Sequence, residues 1–423
     1  MFSDPSNVTP ELQALIDDLA AKGGGEIEIP PGVFGFTPIR LRSNICLRLA
    51  AGARLVASPR REDYFPIGYD HNEMGQVTSA IYAMDEEQIT VCGPGTIDLS
   101  GDAFYHLDRP SHVATVGPEI TQAHLDEAPR RYDWRVTQPI FFLRCRGLYW
   151  EGVRVVNAPC WTLSFVECQT VKMLGLTIEN SMVLPNNDGM HFSSCRDIIV
   201  SDCQVSSGDD CIAFTAITNF DKPCEDIVVS NCVFRSASKA MSIGYMHSIV
   251  RNVLVQNVVV RRSNRGLVIM CNPGTGLVEN VRISNCILEG RCYGGNWWGN
   301  GESIVFMATP HHYDGYRDPK PAPRFDAALR NISVSGTLCR SPRPVAVVAS
   351  EAAMVRNVEM KDMTLQVTPD ELPSLKGNAI DLAPGPENLF VPEGKAGVLT
   401  KNAPVRVSNV VDEEGRPLDR IEV

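Results

Sequence analysis

The chain has 423 residues, of which 44% are hydrophobic and 21% are charged, a balance typical of a soluble folded protein. No apolar run approaches the length of a membrane span, so we expect no membrane partner. The net charge is -11 and no basic run occurs, which argues against a nucleic-acid partner.

The N-terminal segment indicates the cellular location of the protein and predicts a helix that caps one end of the fold. Residues 1–7 lack the basic start and apolar core of a secretion signal, so we expect a cytosolic protein. Residues 9–22 carry an early proline and an apolar stripe of helical spacing, and Gly23 follows them. We predict a helix there that caps one end of the fold.

A repeat follows, in which a short apolar segment comes after a polar pair. Its first residues lie 23 to 29 positions apart, at Cys145, Cys168, Cys195, Cys224, Val250 and Val278. A second series runs about eight residues behind, at Cys203, Cys232, Val258 and Cys286. Alternating β-branched residues at such spacing, without a helical period, predict strands. The expected fold class is all-β: a parallel β-solenoid in which each repeat is one coil stacked on the last.

The same pattern predicts how the chain is divided. We expect one domain over residues 1–423, with roughly ten coils in residues 23–365. Long insertions are expected near residues 102–137 and 289–325, and the Pro- and Gly-rich residues 366–423 predict a wrapping tail.

Fourteen cysteines are present, but there is no CxxC pair. Most of them fall on repeat positions, where a reduced cysteine acts as a small buried hydrophobe. We therefore predict reduced thiols rather than disulfides. We predict no metal site either, because the adjacent His311 and His312 lack a spaced third ligand.

Three carboxylates stand at corresponding points of successive repeats: Asp188 in the run NNDGMH, and Asp209 and Asp210 in GDDC. Clustered carboxylates repel one another and resist burial, so they indicate chemistry or a metal. One aspartate alone would be better explained as a turn-capping residue. Because two carboxyls separated by room for a water suit inverting glycoside hydrolysis, we expect a sugar-cleaving site.

These motifs, with the run NAPCW at residues 157–161, resemble glycoside hydrolase family 28, the polygalacturonase family of right-handed parallel β-helices. The similarity covers roughly residues 9–360. It implies hydrolysis of pectic polysaccharides with inversion and without a cofactor. By motif position Asp209 corresponds to the general acid, and Asp188 and Asp210 correspond to the carboxylates that activate water.

The chain departs from the family at three places. His191 stands where an aspartate closes the first motif, and Lys239 stands where the family has a histidine. Val268 and Met270 replace the arginine and lysine that hold the substrate carboxylate, which predicts poor activity on unsubstituted polygalacturonate. As replacements that bind substrate we consider His191, Lys239 and Arg265, although each alone is equally explained as a solvated surface group.

The second insertion adds three further candidates for substrate binding. Trp297 and Trp298 offer faces for stacking on a sugar ring, and Glu302 follows them. An equal alternative is that one tryptophan plugs the flank of the solenoid.

The resulting hypothesis is a cytosolic, inverting, polygalacturonase-like hydrolase acting on oligosaccharides, with loops that close one end of the cleft for exo action. One alternative is a β-helical lyase that uses Lys239 as its base. The other is a solenoid that binds carbohydrate without turnover.

Overall fold

The protein is a right-handed parallel β-helix in a computed structural model. The repeat predicted the parallel solenoid, and the family resemblance implied its right hand. The structure describes residues 2–111, 113, 119–217, 220–295, 297–311, 324–377, 379–381, 388–390 and 394–423. Parts of both insertions and of the C-terminal segment lie outside these ranges. Among the described helices, none is long and apolar enough to cross a membrane.

Each coil adds one strand to each of three parallel rows. The register confirms the repeat, because Leu148 pairs with Val171, which pairs in turn with Ile198 on the next coil. Two of the rows form one large sheet. Its strands are Gly25–Ile29, Gly32–Phe36, Ile45–Leu49, Ala53–Ala57, Glu87–Cys92, Thr96–Asp98, Arg146–Glu151, Arg154–Val156, Gln169–Leu174, Thr177–Glu179, Arg196–Ser201, Gln204–Ser207, Cys224–Ser230, Val233–Ser236, Ile249–Gln256, Val259–Ser263, Leu277–Ser284, Ile287–Gly290, Leu329–Ser335, Leu338–Ser341, Val355–Val367 and Val405–Val411.

The third row forms a separate sheet, called here the site sheet because it carries the candidate active site. Side chains on its strands alternate between the solenoid core and the outer face. Its strands are Ile39–Arg40, Ile81–Met84, Ile140–Leu143, Leu163–Val166, Met190–Ser193, Ile212–Thr215, Lys239–Ile243, Arg265–Met270, Glu302–Ala308, Val345–Ala349, Val398–Lys401 and Arg420–Glu422.

Stacked side chains hold the coils in register. Inside the solenoid the rings of Phe165 and Phe192 lie 4.9 Å apart and nearly parallel. At one corner Asn280 and Asn252 adopt positive φ angles, which asparagine tolerates better than most residues. The Asn280 amide donates to the Asn252 side chain at 3.1 Å, so each corner is tied to the preceding one.

The N-terminal end is covered by helix α1, Thr9–Ala21, which buries Leu12 and Ile16 against the core while Leu15 stays exposed. In the part of the chain that the structure describes, the other helical segments are α2, Gln122–Glu127, and three short 3-10 turns at Arg61–Asp63, Gly101–Phe104 and Ala352–Met354.

Within the described ranges, three antiparallel strand pairs extend outward from the coils. The pair most relevant to the site is Pro66–His71 with Gly75–Thr78, called here the site hairpin. The others are His106–Pro110 with Arg130–Arg131, and Ala379–Asp381 with Asn388–Phe390.

The prediction of a wrapping tail over residues 366–423 is wrong for its last part. Val398–Lys401 and Arg420–Glu422 extend the site sheet, and Val405–Val411 pairs with Val355–Val367 in the large sheet. The chain therefore returns to the solenoid after an excursion. The excursion hides the repeat in the sequence, because it lengthens the spacing beyond one coil.

Candidate active site

The two acidic motifs lie on neighbouring coils because their glycines allow a close approach. A Cβ at Gly189 would lie 2.5 Å from the Cys211 carbonyl oxygen, and one at Gly208 would lie 2.3 Å from that of Leu184. The Asn187 side chain joins the coils by accepting the Gly208 amide at 2.7 Å and the Asp209 amide at 3.2 Å. The glycines and Asn187 thus fix where the carboxylates stand.

Asp188, Asp209 and Asp210 converge on one pocket, called here the catalytic pocket, whose volume of about 680 Å³ includes space open to solvent. Each is less than 9% exposed. Its lining consists of Glu73, Trp161, Asn186, Asp188, His191, Asp209, Asp210, Thr215, Ile217, Lys239, Ser242, Tyr245 and Trp298. The structure therefore brings together the three predicted carboxylates, His191, Lys239 and Trp298.

His191 is fixed on three sides. Its Nδ1 lies 3.0 Å from Asp188 Oδ2, and its Nε2 lies 3.0 Å from Thr215 Oγ1. Its ring stacks on Trp161 with the centroids 3.9 Å apart. Burial, with Lys239 nearby, lowers the pKa of His191 to about 3, so the ring is neutral. One proton lies between Nδ1 of the neutral His191 and Oδ2 of Asp188, and this contact fixes the orientation of the carboxyl.

Lys239 balances part of the negative charge. Its Nζ lies 3.2 Å from Asp210 Oδ1, and both side chains are less than 9% exposed. Burial alone would lower the pKa of Lys239, but Asp210, Asp209 and Asp188 together raise it. The side chain is therefore a cation.

Burial is also the main reason why the pKa values of Asp188 and Asp210 lie well above the usual range. Repulsion from Asp209 raises both, while Lys239 opposes the rise. Because such neighbouring groups titrate together, the retained proton belongs to the cluster rather than to one carboxyl.

Glu73 is a fourth carboxylate in the pocket that sequence reasoning missed. It lies at the turn of the site hairpin, where its amide donates to His71 Nδ1 at 3.2 Å. Burial and the carboxylate of Asp188 raise the pKa of Glu73 to about 8, although Lys239 opposes this. No local signal could have found it, because the hairpin stands outside the repeat.

Asn186 forms one wall of the pocket, and its amide lies 3.4 Å from Asp209 Oδ2. Arg135, which is 6% exposed, donates to the Asn186 side-chain oxygen at 2.8 Å and so sets the orientation of the amide. Asn186 and Trp161 belong to the motifs that suggested the family, which is the signal that could have identified them.

Three residues predicted to bind substrate do not line the pocket. Arg265 Nε lies 3.1 Å from Glu302 Oε2, with both side chains at most 1% exposed. They occupy paired positions on adjacent coils, where their charges offset each other. Trp297 is 3% exposed and donates its Nε1–H to the Glu127 carbonyl at 2.8 Å. The prediction is therefore wrong for Arg265, Glu302 and Trp297, and Trp297 plugs the flank.

His311 packs its ring against Tyr245 with the centroids 5.2 Å apart, and His312 lies outside the described residues.

Apolar clusters cover the outer face of the site sheet on both sides of the pocket. On one side the site hairpin covers Phe141 and Val166 through Val77. On the other side Val268 and Met270 belong to a cluster that Tyr245 packs against. The full clusters are Val77, Phe141, Leu143 and Val166, and Val268, Met270, Val305, Met307, Ala346, Val348 and Leu399. Val268 and Met270, which replace the arginine and lysine of the family, are thus part of a buried apolar surface.

Residues 128–295 match the profile of Glycosyl hydrolases family 28. The chain is 26% identical over 234 residues to a polygalacturonase from Arabidopsis thaliana, covering 53% of this chain and 49% of the relative. It is 25% identical over 381 residues to an exo-poly-alpha-D-galacturonosidase from Dickeya chrysanthemi, covering 79% of this chain and 60% of the relative. It thus spans about half to three-fifths of these relatives.

Among solved structures, the fold is similar to that of a hyperthermoactive exopolygalacturonase from Thermotoga maritima. The TM-score is 0.68 at 20% identity, over 96% of this chain and 88% of that one.

Proposed function

We propose that this chain, whose residues 128–295 belong to glycoside hydrolase family 28, is an exo-acting glycoside hydrolase that inverts the anomeric centre of pectic or related oligosaccharides. The observation that carries the proposal is the convergence of Asp188, Asp209 and Asp210 from adjacent coils on one pocket. The relatives named polygalacturonase and exo-poly-alpha-D-galacturonosidase support it.

The contacts of the carboxyls suggest how the roles divide. Asp209 contacts the neutral amide of Asn186, and we assign it to protonate the leaving oxygen. Asp210 lies beside the cation Lys239, which favours the ionised form that activates water. Asp188, oriented by His191, shares that second role. An inverting enzyme needs a gap of about 6.5–9.5 Å between acid and base, which leaves room for the attacking water.

Exo action is supported by the two apolar clusters that flank the pocket. Buried residues such as Phe141 and Val305 occupy the outer face of the site sheet on either side of the pocket. A polymer could not lie across this surface, whereas the end of an oligosaccharide could enter the pocket.

A cytosolic location is part of the proposal. It is supported by fourteen free cysteines, thirteen of them buried. Short oligosaccharides would be the substrates available in that compartment.

The lyase alternative is disfavoured by the charge of Lys239. A lyase base must accept a proton from carbon, but the neighbouring carboxylates raise the pKa of Lys239 and keep it protonated.

The decisive experiment incubates the protein with pectic and related oligosaccharides and follows the first products by proton NMR before mutarotation. A product of inverted configuration released from a chain end is expected. A retained product would contradict inversion, and an unsaturated uronate would identify a lyase. Binding without any turnover would identify the non-enzymatic solenoid.

A further inference from the structure

Trp298 enters the catalytic pocket from outside the coils. It belongs to residues 297–300, called here the tryptophan segment, which precede the site-sheet strand Glu302–Ala308. The indole of Trp298 is partly buried and lines the pocket. Because the segment lies outside the strand, the register of the sheet alone does not fix the position of Trp298, and other contacts must hold it.

Glu127 provides several of these contacts. It is the last residue of α2, in the first insertion. Its two carboxylate oxygens accept hydrogen bonds from Arg291 at 2.8 and 2.9 Å, and one of them also accepts the Gly294 amide at 2.9 Å. Its backbone carbonyl accepts the Trp297 Nε1–H at 2.8 Å. Glu127 therefore holds the second insertion at three points just before Trp298.

Glycines allow α2 to approach the second insertion this closely. A Cβ at Gly294 would lie 2.5 Å from the His124 carbonyl oxygen, and one at Gly295 would lie 2.7 Å from Ala128 Cα. A side chain at either position would push α2 away. The main chains of the two insertions are therefore in direct contact, which brings Glu127 within hydrogen-bonding distance of its partners.

Arg291, the ionic partner of Glu127, directly follows the strand Ile287–Gly290. It is 9% exposed, and its guanidinium packs over the Tyr293 ring at 4.2 Å from the centroid. Tyr293 belongs to the same buried apolar cluster as Trp297. The ion pair is thus partly shielded from water, where salt screens an interaction less than on the surface. It therefore links α2 firmly to the coil beside the tryptophan segment.

Residues 371–377, in the C-terminal excursion, hold the tryptophan segment from another direction. Lys376 donates to the Trp297 carbonyl, and the Ser374 hydroxyl donates to the Asn300 side-chain oxygen at 2.6 Å. The segment is thus held on both sides of Trp298 by residues that lie outside the coils. Three separate excursions meet on this flank, and together they determine where the indole stands.

We propose that Glu127 and Arg291 are positioning residues of the catalytic pocket: their ion pair holds the tryptophan segment so that the Trp298 ring packs against the bound sugar. Both lie outside the described lining of the pocket, so they act through Trp298. An indole offers a large, rigid apolar face against which the apolar face of a pyranose can pack. The inference rests on the proposed function and extends its site to the first insertion.

The expected effect is on substrate binding more than on the chemical step. Trp298 would contact the sugar both before and during the reaction. Its displacement therefore removes binding energy from the ground state and the transition state alike, which raises KM and leaves kcat nearly unchanged.

The first experiment tests the position of Trp298 without any substrate. Acrylamide quenching of tryptophan fluorescence is measured in each protein with and without Trp298→Phe, so that the difference reports this ring. Glu127→Ala should raise the quenching constant of Trp298 by about twofold or more, because a segment that loses its contacts opens more often to water. The control Glu225→Ala removes a carboxylate that lies 2.5 Å from Arg251 on the large sheet, and it should change nothing. A quenching constant that Glu127→Ala leaves unchanged would overturn the proposal.

The second experiment asks whether Glu127 acts through Trp298. KM and kcat are measured for the oligosaccharide that is cleaved in the NMR experiment. Glu127→Ala should raise KM by about threefold or more, with kcat nearly unchanged. In a protein that already carries Trp298→Ala, the same substitution should raise KM no further, because residues that act as one unit are not additive. Additive effects of the two substitutions would show that Glu127 does not act through Trp298.

Milder variants separate a positioning role from a loss of folding, which denaturant melts report. Glu127→Gln keeps an acceptor for the Gly294 amide but loses the charge, so quenching and KM should rise less than in Glu127→Ala. Arg291→Lys keeps the charge and should lie closer to the wild type than Arg291→Met does. If Arg291→Met lowers only the unfolding free energy and leaves quenching and KM at wild-type values, the ion pair is purely structural and the assignment is wrong.

The two experiments distinguish this inference from the proposed function. A protein that cleaves oligosaccharides but shows unchanged quenching in Glu127→Ala contradicts this inference alone. Quenching that rises as expected in a protein that cleaves no glycoside supports the positioning of Trp298 and contradicts the proposed function.

Discussion

Lys239 Nζ lies 3.2 Å from Asp210 Oδ1 in the wall of the catalytic pocket, and both side chains are almost completely buried. The two residues come from adjacent coils, so this ion pair depends on how the solenoid stacks. The charge of Lys239 lowers the pKa values of Asp210 and Asp188 against the opposing effect of burial. It therefore helps to determine the pH at which the water-activating carboxyls ionise.

Replacing Lys239 should shift the pH dependence of activity. Lys239→Met removes the cation that favours ionised Asp210, so the pKa of this carboxyl rises and the acidic limb of the kcat/KM profile moves to higher pH. Lys239→Arg keeps the charge and should restore part of the original profile. A Lys239→Met profile identical to that of the wild type would contradict this role.

Asp209→Asn should lower kcat by about 100-fold or more, because it removes the proposed proton donor, while sugar binding and the fold remain. Asp197→Asn is a matched control. Asp197 is exposed and has a φ of 59°, which asparagine also tolerates. Rates near that of the wild type for Asp209→Asn would show that the acid lies elsewhere.

His191 is expected to act by orienting Asp188. His191→Phe keeps a ring to stack on Trp161 but loses the contact with Asp188, so kcat should fall by about tenfold or more while KM changes little. Thr215→Val, which removes the contact with His191 Nε2, should give a smaller loss of the same kind. An effect confined to thermal stability would mean that His191 is only a packing residue.

The Arg265–Glu302 pair should affect stability rather than binding. Arg265→Met leaves a buried carboxylate without its partner and should cost about 3–5 kcal/mol of unfolding free energy. In the double variant Arg265→Met/Glu302→Leu most of that loss should be recovered. Denaturant melts measure both effects. If the variants instead changed KM for an oligosaccharide and left the unfolding free energy unaltered, Arg265 and Glu302 would have a substrate-binding role.

All fourteen cysteines should titrate as free thiols in the denatured, non-reduced protein. Cys46 Sγ and Cys92 Sγ, on neighbouring coils, lie 3.9 Å apart, which is a non-bonded distance. Missing thiols would indicate disulfides and an oxidising compartment, and would count against the cytosolic proposal.

The regular parts of the fold could be predicted from the sequence. The repeat spacing of 23 to 29 residues corresponds to the length of one coil. Helix α1 has the apolar stripe that is typical of a capping helix. Since the two acidic motifs sit at equivalent points of successive repeats, stacking alone brings Asp188 close to Asp209 and Asp210. Local spacing carries this information because each coil pairs only with its neighbours.

Buried charges were harder to interpret. Arg265 and Glu302 are charged residues of the kind that bind ligands, yet their charges offset each other in a buried ion pair. Trp297 and Trp298 are adjacent in sequence, but one plugs the flank and the other lines the pocket. Residue type indicates what a side chain can do, whereas its partner and its direction depend on the coil packed next to it.

The sequence by itself determined the solenoid and the three carboxylates, because both follow from a repeat whose contacts are between neighbouring coils. Only the tertiary structure decided what surrounds those carboxylates. Glu73 comes from a hairpin more than one hundred residues earlier. Such excursions have no period, and their positions over the site depend on long-range contacts such as that between Asn72 and Ile217. The full lining of the pocket therefore emerges only when the chain is folded.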